Sequence, residues 1–439
     1  MKNILKTIST YGMAAMAVLA VSSCSFDEVV DPNGPSVNGV LANASKGQLN
    51  ELVVGVESTL RNGIAIETTA SGTMARELYL FDADPRNTGD LLGKNGIGLD
   101  NNSFYSTTQW SGSYRCIQNA NLLIQAAENT DAVTESEANG YTGYAKTVIA
   151  YELIQMVKSY GQARLDIADP DNLGPLVDGP TVINAVRAML DDANSDLSNA
   201  GGSFAFTLSS GFDDFNTPSS FREFNRGVAA IAAVYDGDGG AALTALNNSF
   251  FSLNGDLNVG PKHIFGLGGG DQSNQLFKVD GENGDQIVVH NSFITDAETG
   301  DTRVTTKTNV RPDPQGQDGL NGTNEIDLYE SSTSPIDIVR NEELILVFAE
   351  ASIIAGSTGD AVTALNVIRN AASLPDYTGG TSTGELTTEM LKQRRYSLWA
   401  ENHRMYDLRR YGLSNTLPID RTGDQIFNTL PVPLPETNL

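Results

Sequence analysis

Five arginines fall within 17 residues near the C-terminus, in the run Arg394-Arg395-Tyr396-Ser397-Leu398-Trp399-Ala400-Glu401-Asn402-His403-Arg404-Met405-Tyr406-Asp407-Leu408-Arg409-Arg410-Tyr411-Gly412. Guanidinium forks pair bidentately with carboxylates or other oxyanions and stack on aromatic faces, so the cluster admits two chemistries. One is an anion site. The other is an internal network, in which Glu401 reaches Arg404 and Asp407 reaches Arg410 at i+3 on a helix, with Trp399 and Tyr406 as stacking partners. The network, fixing the C-terminal part of the fold, is the reading adopted.

Other chemistry finds little support. Beyond a Cys at position 24 the thiol is Cys116, inside a helical pattern, and the three histidines are His263, His290 and His403. No G-x-S-x-G occurs, so a Ser or Cys nucleophile has no evident base. Gly266-Leu267-Gly268-Gly269-Gly270 lacks the Lys and Ser/Thr of a phosphate loop and reads as a loop. There is no H-E-x-x-H and no paired-Cys motif, and we expect no metal and no cofactor. Asp236-Gly237-Asp238-Gly239 reads as a turn, and the oxygens of Asp313 to Asp327 are those of any acidic loop, calcium-binding or not. Among 54 acidic residues chance carboxylate pairs abound, which keeps an all-α glycosidase or lyase open as the enzyme alternative. A net charge of −26 argues against nucleic acid as a partner.

The elements that would position such groups are mostly helical. Apolar periodicity predicts helices over Lys46–Arg61, Thr107–Glu128, Tyr141–Tyr160 (stopped by Gly161), Thr181–Ser198, Arg222–Tyr235 and Gly240–Phe251. It predicts three more over Asn341–Ala355, Gly359–Ala372 and Thr387–Asn402. Helix pairs across short Gly/Asp turns are the pattern of a tetratricopeptide-like array, in which each pair buries a face on its neighbours. Two insertions interrupt it, at about 64–106 and 253–335, with no helical period. In the second, Leu276–Val279 and Ile287–His290 flank Asn283-Gly284 and predict a β-hairpin, and Thr302–Lys307 a further strand.

The N-terminus reads as an export signal: Lys2 and Lys6, an apolar stretch Tyr11–Val21, then Ser22-Ser23-Cys24. Val21-Ser22-Ser23-Cys24 resembles a bacterial lipobox, which implies cleavage after residue 23 and acylation of Cys24. The apolar stretch is too short to span a hydrocarbon core of roughly 30 Å, whereas two acyl chains anchor stably. Residues 24–40, rich in Asp, Pro, Gly and Ser, read as a flexible tether, and 41–439 as one domain.

Together these motifs resemble the SusD/RagB family of nutrient-binding outer-membrane lipoproteins of Bacteroidota. The C-terminal run is similar to that family's R-R-x-E-L-x-x-E-G-x-R-x-x-D-L-x-R-x-G, with Arg394, Arg395, Leu398, Glu401, Arg404, Asp407, Leu408, Arg410 and Gly412 in place. Asn402 stands at the usual Gly and Ser397 departs as well. Trp110, Tyr114, Ile117, Asn119 and Asn121 resemble its W-x-x-x-Y helix, and Leu430-Pro431-Val432-Pro433 with Glu436 its closing segment. Glu342–Ala351, Ala364–Asn370 and Leu374-Pro375 resemble its adjacent helix pair. The resemblance implies a mostly helical fold of about four tetratricopeptide-like pairs with long irregular loops. It implies capture of an oligomeric nutrient, such as an oligosaccharide, by binding without bond chemistry. The implied partner is a TonB-dependent SusC-like barrel transporter, for which the protein is the lid. Acids after Cys24 (Ser25-Phe26-Asp27-Glu28) resemble the family's surface-export signal and imply the exterior face of the outer membrane. Family members stack sugars on exposed aromatics. Here both tryptophans lie in motifs that read as structural, so Tyr79, Phe81, Phe104 and Tyr105 are the candidate platform, with Asp82, Arg86 and Asn101 as polar partners. A non-catalytic surface scaffold is the remaining alternative.

Overall fold

The structure, a computed structural model, describes residues 37–168 and 172–437. Cys24, the signal and most of the tether lie outside them. Residues 37–40, assigned to the tether, begin the first helix, α1 (Val37–Asn43). Next come α2 (Lys46–Thr59), α3 (Ile64–Met74), α4 (Phe104–Asn129), α5 (Glu135–Tyr160), α6 (Gly179–Asn199), α7 (Pro218–Tyr235) and α8 (Gly239–Leu246). Two short helices, α9 (Asn291–Thr295) and α10 (Thr302–Lys307), precede α11 (Asn341–Ala355), α12 (Thr358–Ala371), α13 (Thr383–Ser397) and α14 (Arg404–Arg410). Four tetratricopeptide-like pairs form the scaffold: α2 on α4, α5 on α6, α7 on α8 and α11 on α12. Each pair also packs on the next, so one core runs through α2 to α8, from Leu49 and Val53 through Tyr144 and Leu190 to Phe221 and Leu246.

Local chemistry sets the ends. Reciprocal capping boxes start α2 (Ser45 with Gln48), α5 (Thr134 with Glu137) and α13 (Ser382 with Glu385). Gly161 and Gly356 stop α5 and α11 in the left-handed region, at φ 73° and 78°. The last predicted helix is shorter than expected: α13 ends at Ser397, and Ala400 and Asn402 turn left-handed at φ 61° and 56°. Asn is among the few side chains that tolerate this region, which accounts for Asn402 where the related motif has Gly.

The insertions hold more order than their sequence suggested. The first opens with α3, whose residues Thr68–Met74 are all buried. A helix buried all round shows no stripe, and its Thr, Ser and Gly content is poor for helix propensity. The predicted hairpin of Leu276–Val279 with Ile287–His290 does not form. Instead β5 (Gln286–Val289) pairs antiparallel with β1 (Leu78–Phe81) of the first insertion, Tyr79 opposite Val288, and Leu276 is buried as a core residue. Thr302–Lys307 is α10 and not a strand, begun by Asp301, whose carboxylate accepts from Arg303 N–H at 3.1 Å. The insertion's real hairpin is β6 (Thr308–Gln317) with β7 (Leu320–Ile326), turning at Asp318-Gly319, both at positive φ. The sheet order is β1-β5-β7-β6, so two insertions far apart in sequence share one sheet. Gly322 permits this, since a Cβ there would lie 2.4 Å from Val288 Cγ1. Two small ladders complete the strands: β2 (Gln162–Arg164) with β3 (Leu176–Asp178), and β4 (Lys262–His263) with β8 (Ile336–Asp337).

The arginine cluster closes the fold from inside. Arg394 is 1% exposed; its Nε donates to Asp407 at 2.6 Å and its Nη2 meets His403 Nδ1 at 3.3 Å. Arg410 bonds Asp407 at 2.9 Å and grips the fully buried Glu350 of α11, which also accepts from the Tyr411 hydroxyl at 2.8 Å. Glu401 does not pair with Arg404 as the spacing suggested; with the helix already ended, it holds Arg340. Arg404 Nε donates to Ala75 O at 3.1 Å, Arg395 to Asp296 at 2.9 Å, and Arg409 to three backbone carbonyls, those of Val157, Lys158 and Asn428. Tyr406 does stack under Arg409 at 4.9 Å, but Trp399 packs on Phe293 at 4.9 Å, and its indole N–H donates to Glu77 O at 3.1 Å.

Two outcomes follow from these burials. Removing one partner of a buried ion pair strands the other, so Arg394→Ala should cost about 3–5 kcal/mol in chemical denaturation, while the exposed Arg86→Ala should change little. A loss under 1 kcal/mol in Arg394→Ala would mean that the pair is not a keystone. Burial also pushes the carboxyl of Glu152, on α5, up to about 8, with Glu67 nearby adding to the rise. The folded chain therefore holds this proton more tightly than the unfolded chain. The stability it contributes is complete below the unfolded value and is lost as pH rises through about 8. Glu152→Gln should gain on the parent as pH rises, by about 4 kcal/mol between pH 5 and pH 9 for a rise of this size; an equal effect at both pH values would discard the assignment.

Candidate functional site

Three depressions run into one another across the face where the insertions meet. The first is open, with about 1590 Å³ of space between Leu80, Asp82, Asn87 and Phe104 on one side and Gln275, Phe277 and Lys278 on the other. It shares Ala65, Ile66 and residues 273–275 with the second, which adds Arg61, Phe265 and Asp271. Arg61 and Asp271 in turn border the third, which reaches Leu208 and Phe212. The floor is the beginning of α3, and the walls come from both insertions. The second insertion's wall is pinned by polar groups. Asn274 is buried, with Nδ2 donating to Ser334 O at 2.9 Å and its side-chain oxygen accepting from Leu276 N–H at 2.9 Å. Gln272 donates to Asn62 at 2.6 Å, and Arg61 to Asp271 at 2.6 Å.

The seven candidate contact residues divide on burial. Tyr79 and Phe81 are 3% exposed and stack on one another at 5.6 Å inside a small core with Leu92, Val288 and Leu320. Tyr105 is fully buried, its hydroxyl bonded to Asp90 at 3.0 Å and accepting from Asp100 N–H at 2.7 Å. These three rings present no face to a ligand: alternation along β1 sends Tyr79 and Phe81 inward and leaves half-buried Leu80 on the trough side. Asn101 serves the backbone, its carbonyl accepting from Leu434 N–H at 3.0 Å. Phe104 and Asp82 line the trough. The exposed Arg86 lies 4.8 Å over the Phe104 ring and is held in a fork by Asp84, with Nη2 to Oδ2 at 2.6 Å. Asp82 accepts from Asp84 N–H and Asn87 Nδ2, each at 2.9 Å. Phe277 escaped the sequence reading because its apolar neighbours suggested a strand, although an aromatic in a polar Gly/Asn-rich insertion was the available signal.

The groups that could do chemistry are otherwise engaged. Ser292 Oγ lies 2.8 Å from His290 Nδ1, and His290 Nε2 lies 2.9 Å from Asp420, the connectivity of a hydrolytic triad. Here it is the start of α9: Ser292 N–H donates to His290 Nδ1 at 3.0 Å, Arg395 donates to Ser292 Oγ at 2.8 Å, and Asp420 is also paired with Arg76 at 3.4 Å. None of these groups borders the trough. Burial pushes His263 down to about 3, and with Arg61 adding to the fall it stays neutral. Burial raises the Cys116 thiol, which makes it unreactive. In the 313–327 segment Asp318 is taken by Lys94 and Arg421 and Glu325 by Arg311, and Asp236 and Asp238 both hold Arg187. Among the described residues no group of three or more His, Cys, Asp or Glu is placed to hold a metal ion, and no helix is long and apolar enough to cross a membrane. A second cavity, lined by Glu67, Lys158, Glu343 and His403, lies in the interior below the trough and shares Ile64 and Ile336 with its floor.

Comparison with known proteins locates this architecture. Residues 280–430 match the SusD family model. No curated protein matches the chain in sequence. Among solved structures, surface glycan-binding protein A from Bacteroides fluxus superposes with a TM-score of 0.68 at 16% identity, covering 90% of this chain and 96% of its own. A SusD superfamily protein from Bacteroides vulgatus gives 0.66 at 16% identity, with 90% and 97% covered. A laminarin-binding SusD-like protein gives 0.65 at 16% identity, again with 90% and 97% covered. At that identity the structural likeness is one of fold. Residues 280–430 are thus similar in sequence to the SusD family, and the described chain has a SusD-like fold.

Proposed function

We propose that the chain is a surface-exposed nutrient-binding lipoprotein that captures an oligosaccharide in the trough and serves as the lid of a TonB-dependent SusC-like barrel in the outer membrane. The observation that carries this reading is the trough itself: an open channel, built where both insertions meet on a rigid helical scaffold, with a half-buried aromatic on either wall. Phe104 and Phe277 offer ring faces for sugars, and Asp82 and Gln275 offer a carboxylate acceptor and an amide for hydroxyls. Support also comes from the fold neighbours, one named for surface glycan binding and one for laminarin binding. The work of the site is binding and release. Lipid on Cys24 keeps the lid at the membrane, and the segment after it gives the lid room to swing on its barrel.

Phe104→Ala should weaken binding of an oligosaccharide ligand about tenfold in calorimetry and leave the thermal transition in place. Tyr105→Ala should do the reverse, costing about 3–5 kcal/mol of stability with little change in affinity for the remaining folded protein. Undiminished affinity in Phe104→Ala would remove the trough assignment. In cells, Cys24→Ala should move the protein from the membrane to the soluble fraction and abolish uptake; retention in the membrane would count against the anchor.

A further inference from the structure

We propose that the trough selects uncharged oligosaccharides and turns away acidic ones such as polyuronates. This rests on the reading of the trough as the oligosaccharide site and adds the ligand's charge class. The charges lining the trough are unequal in number and in availability. Carboxylates come from Asp82, Asp84, Glu282 and Asp285 at the open end, Asp271 in the middle and Glu57 at the far end. Cations come from Lys278, Arg61 and Lys262.

Each of these cations already holds a carboxylate. Lys278 Nζ is 2.7 Å from Asp285, Arg61 is 2.6 Å from Asp271, and Lys262 pairs with Asp337. Arg86, beside Phe104, is committed to Asp84. An incoming carboxylate or sulfate would have to break one of these pairs or lie beside uncompensated Asp82, Glu282 or Glu57. Like charges within a screening length of about 8 Å repel even at physiological salt, and the whole chain's charge of −26 opposes an anion during approach.

A cationic ligand is not what the lining is built for either. The carboxylates of Asp84, Asp271 and Asp285 are neutralised by the protein's own cations, and Asp82 is occupied by Asp84 N–H and Asn87 Nδ2. Three lining carboxylates have no cation partner among the described residues, Asp82 and Glu282 at the open end and Glu57 at the far end. Asp82 is already held by two N–H donors and Glu57 accepts from Ser209 N–H at 3.1 Å, which leaves Glu282 without a second uncommitted carboxylate to form an ammonium trap. What the trough offers along its length is aromatic and aliphatic surface, amides, and carboxylate oxygens with lone pairs to spare. Those groups suit a chain of neutral sugar hydroxyls.

Calorimetry of the mature chain against three probe series tests this: neutral linear glucan oligosaccharides, oligogalacturonates and chitosan oligosaccharides of matched lengths. The neutral series should bind, and the oligogalacturonates should bind at least about tenfold more weakly. Asp285→Asn, which frees Lys278, should narrow that gap, read as the ratio of the two affinities measured on the same variant. Oligogalacturonates or chitosan oligosaccharides binding as tightly as the neutral series, or a gap unmoved in Asp285→Asn, would overturn the charge selection and leave the oligosaccharide reading standing. Silence from all three series would overturn both.

Discussion

A charged group taken out of water must find its partner inside, and this fold is organised around one such settlement. Arg394 of α13, Asp407 and Arg410 of α14 and Glu350 of α11 form a continuous chain of charge-assisted hydrogen bonds with almost no solvent contact. Neighbouring charges settle the protonation states. Burial alone would raise the Asp407 carboxyl, but the two guanidiniums beside it hold it below the ordinary range. Because each member is held by another, none can move without stranding a buried charge. The C-terminal segment is thereby locked onto the last pair of the helical array.

From that lock a second junction reaches the trough. The backbone carbonyl of Glu77 accepts the Trp399 indole N–H at 3.1 Å and the His290 backbone N–H at 3.0 Å. One oxygen therefore joins the C-terminal motif, the entry to β1 and the exit from β5. Around it Leu78, Ile287, Val289, Phe293, Tyr396 and Trp399 form a core distinct from that of the helical array. The sheet that pairs β1 with β5 brings the first insertion to face the second, and the trough is the gap left between them. Its position is thus set by residues that never touch its contents.

The helical scaffold was legible because its signals are local. Apolar periods and Gly stops placed α11 to the residue and the other array helices to within a few positions at most ends. The insertions were not legible in the same way. β5 takes its partner from more than two hundred residues upstream, and no local pattern announces that choice. Asp318-Gly319 carries a hairpin signal, but it lies inside a stretch that reads as an acidic loop, and the predicted hairpin falls at Asn283-Gly284 instead. The contact residues failed for a related reason. Aromatic type identified Tyr79, Phe81, Phe104 and Tyr105, but which rings face outward depends on strand register and on what covers the strand. Only Phe104, at the first position of α4, kept a face to the trough.

The same distinction explains why chemistry-bearing spacing is a poor guide to function here. Ser292, His290 and Asp420 have triad connectivity, and the arginine run has the composition of an anion site, yet both sets point their polar atoms at other parts of the chain. A group spent on holding the fold is unavailable to a ligand. The trough shows the opposite condition: its amides, its half-buried rings and its spare carboxylate oxygens have capacity left over. Substitutions there should therefore be thermodynamically cheap, because no buried partner is stranded, whereas those in the arginine network are costly. A scaffold divided in this way can change what it binds without renegotiating how it folds.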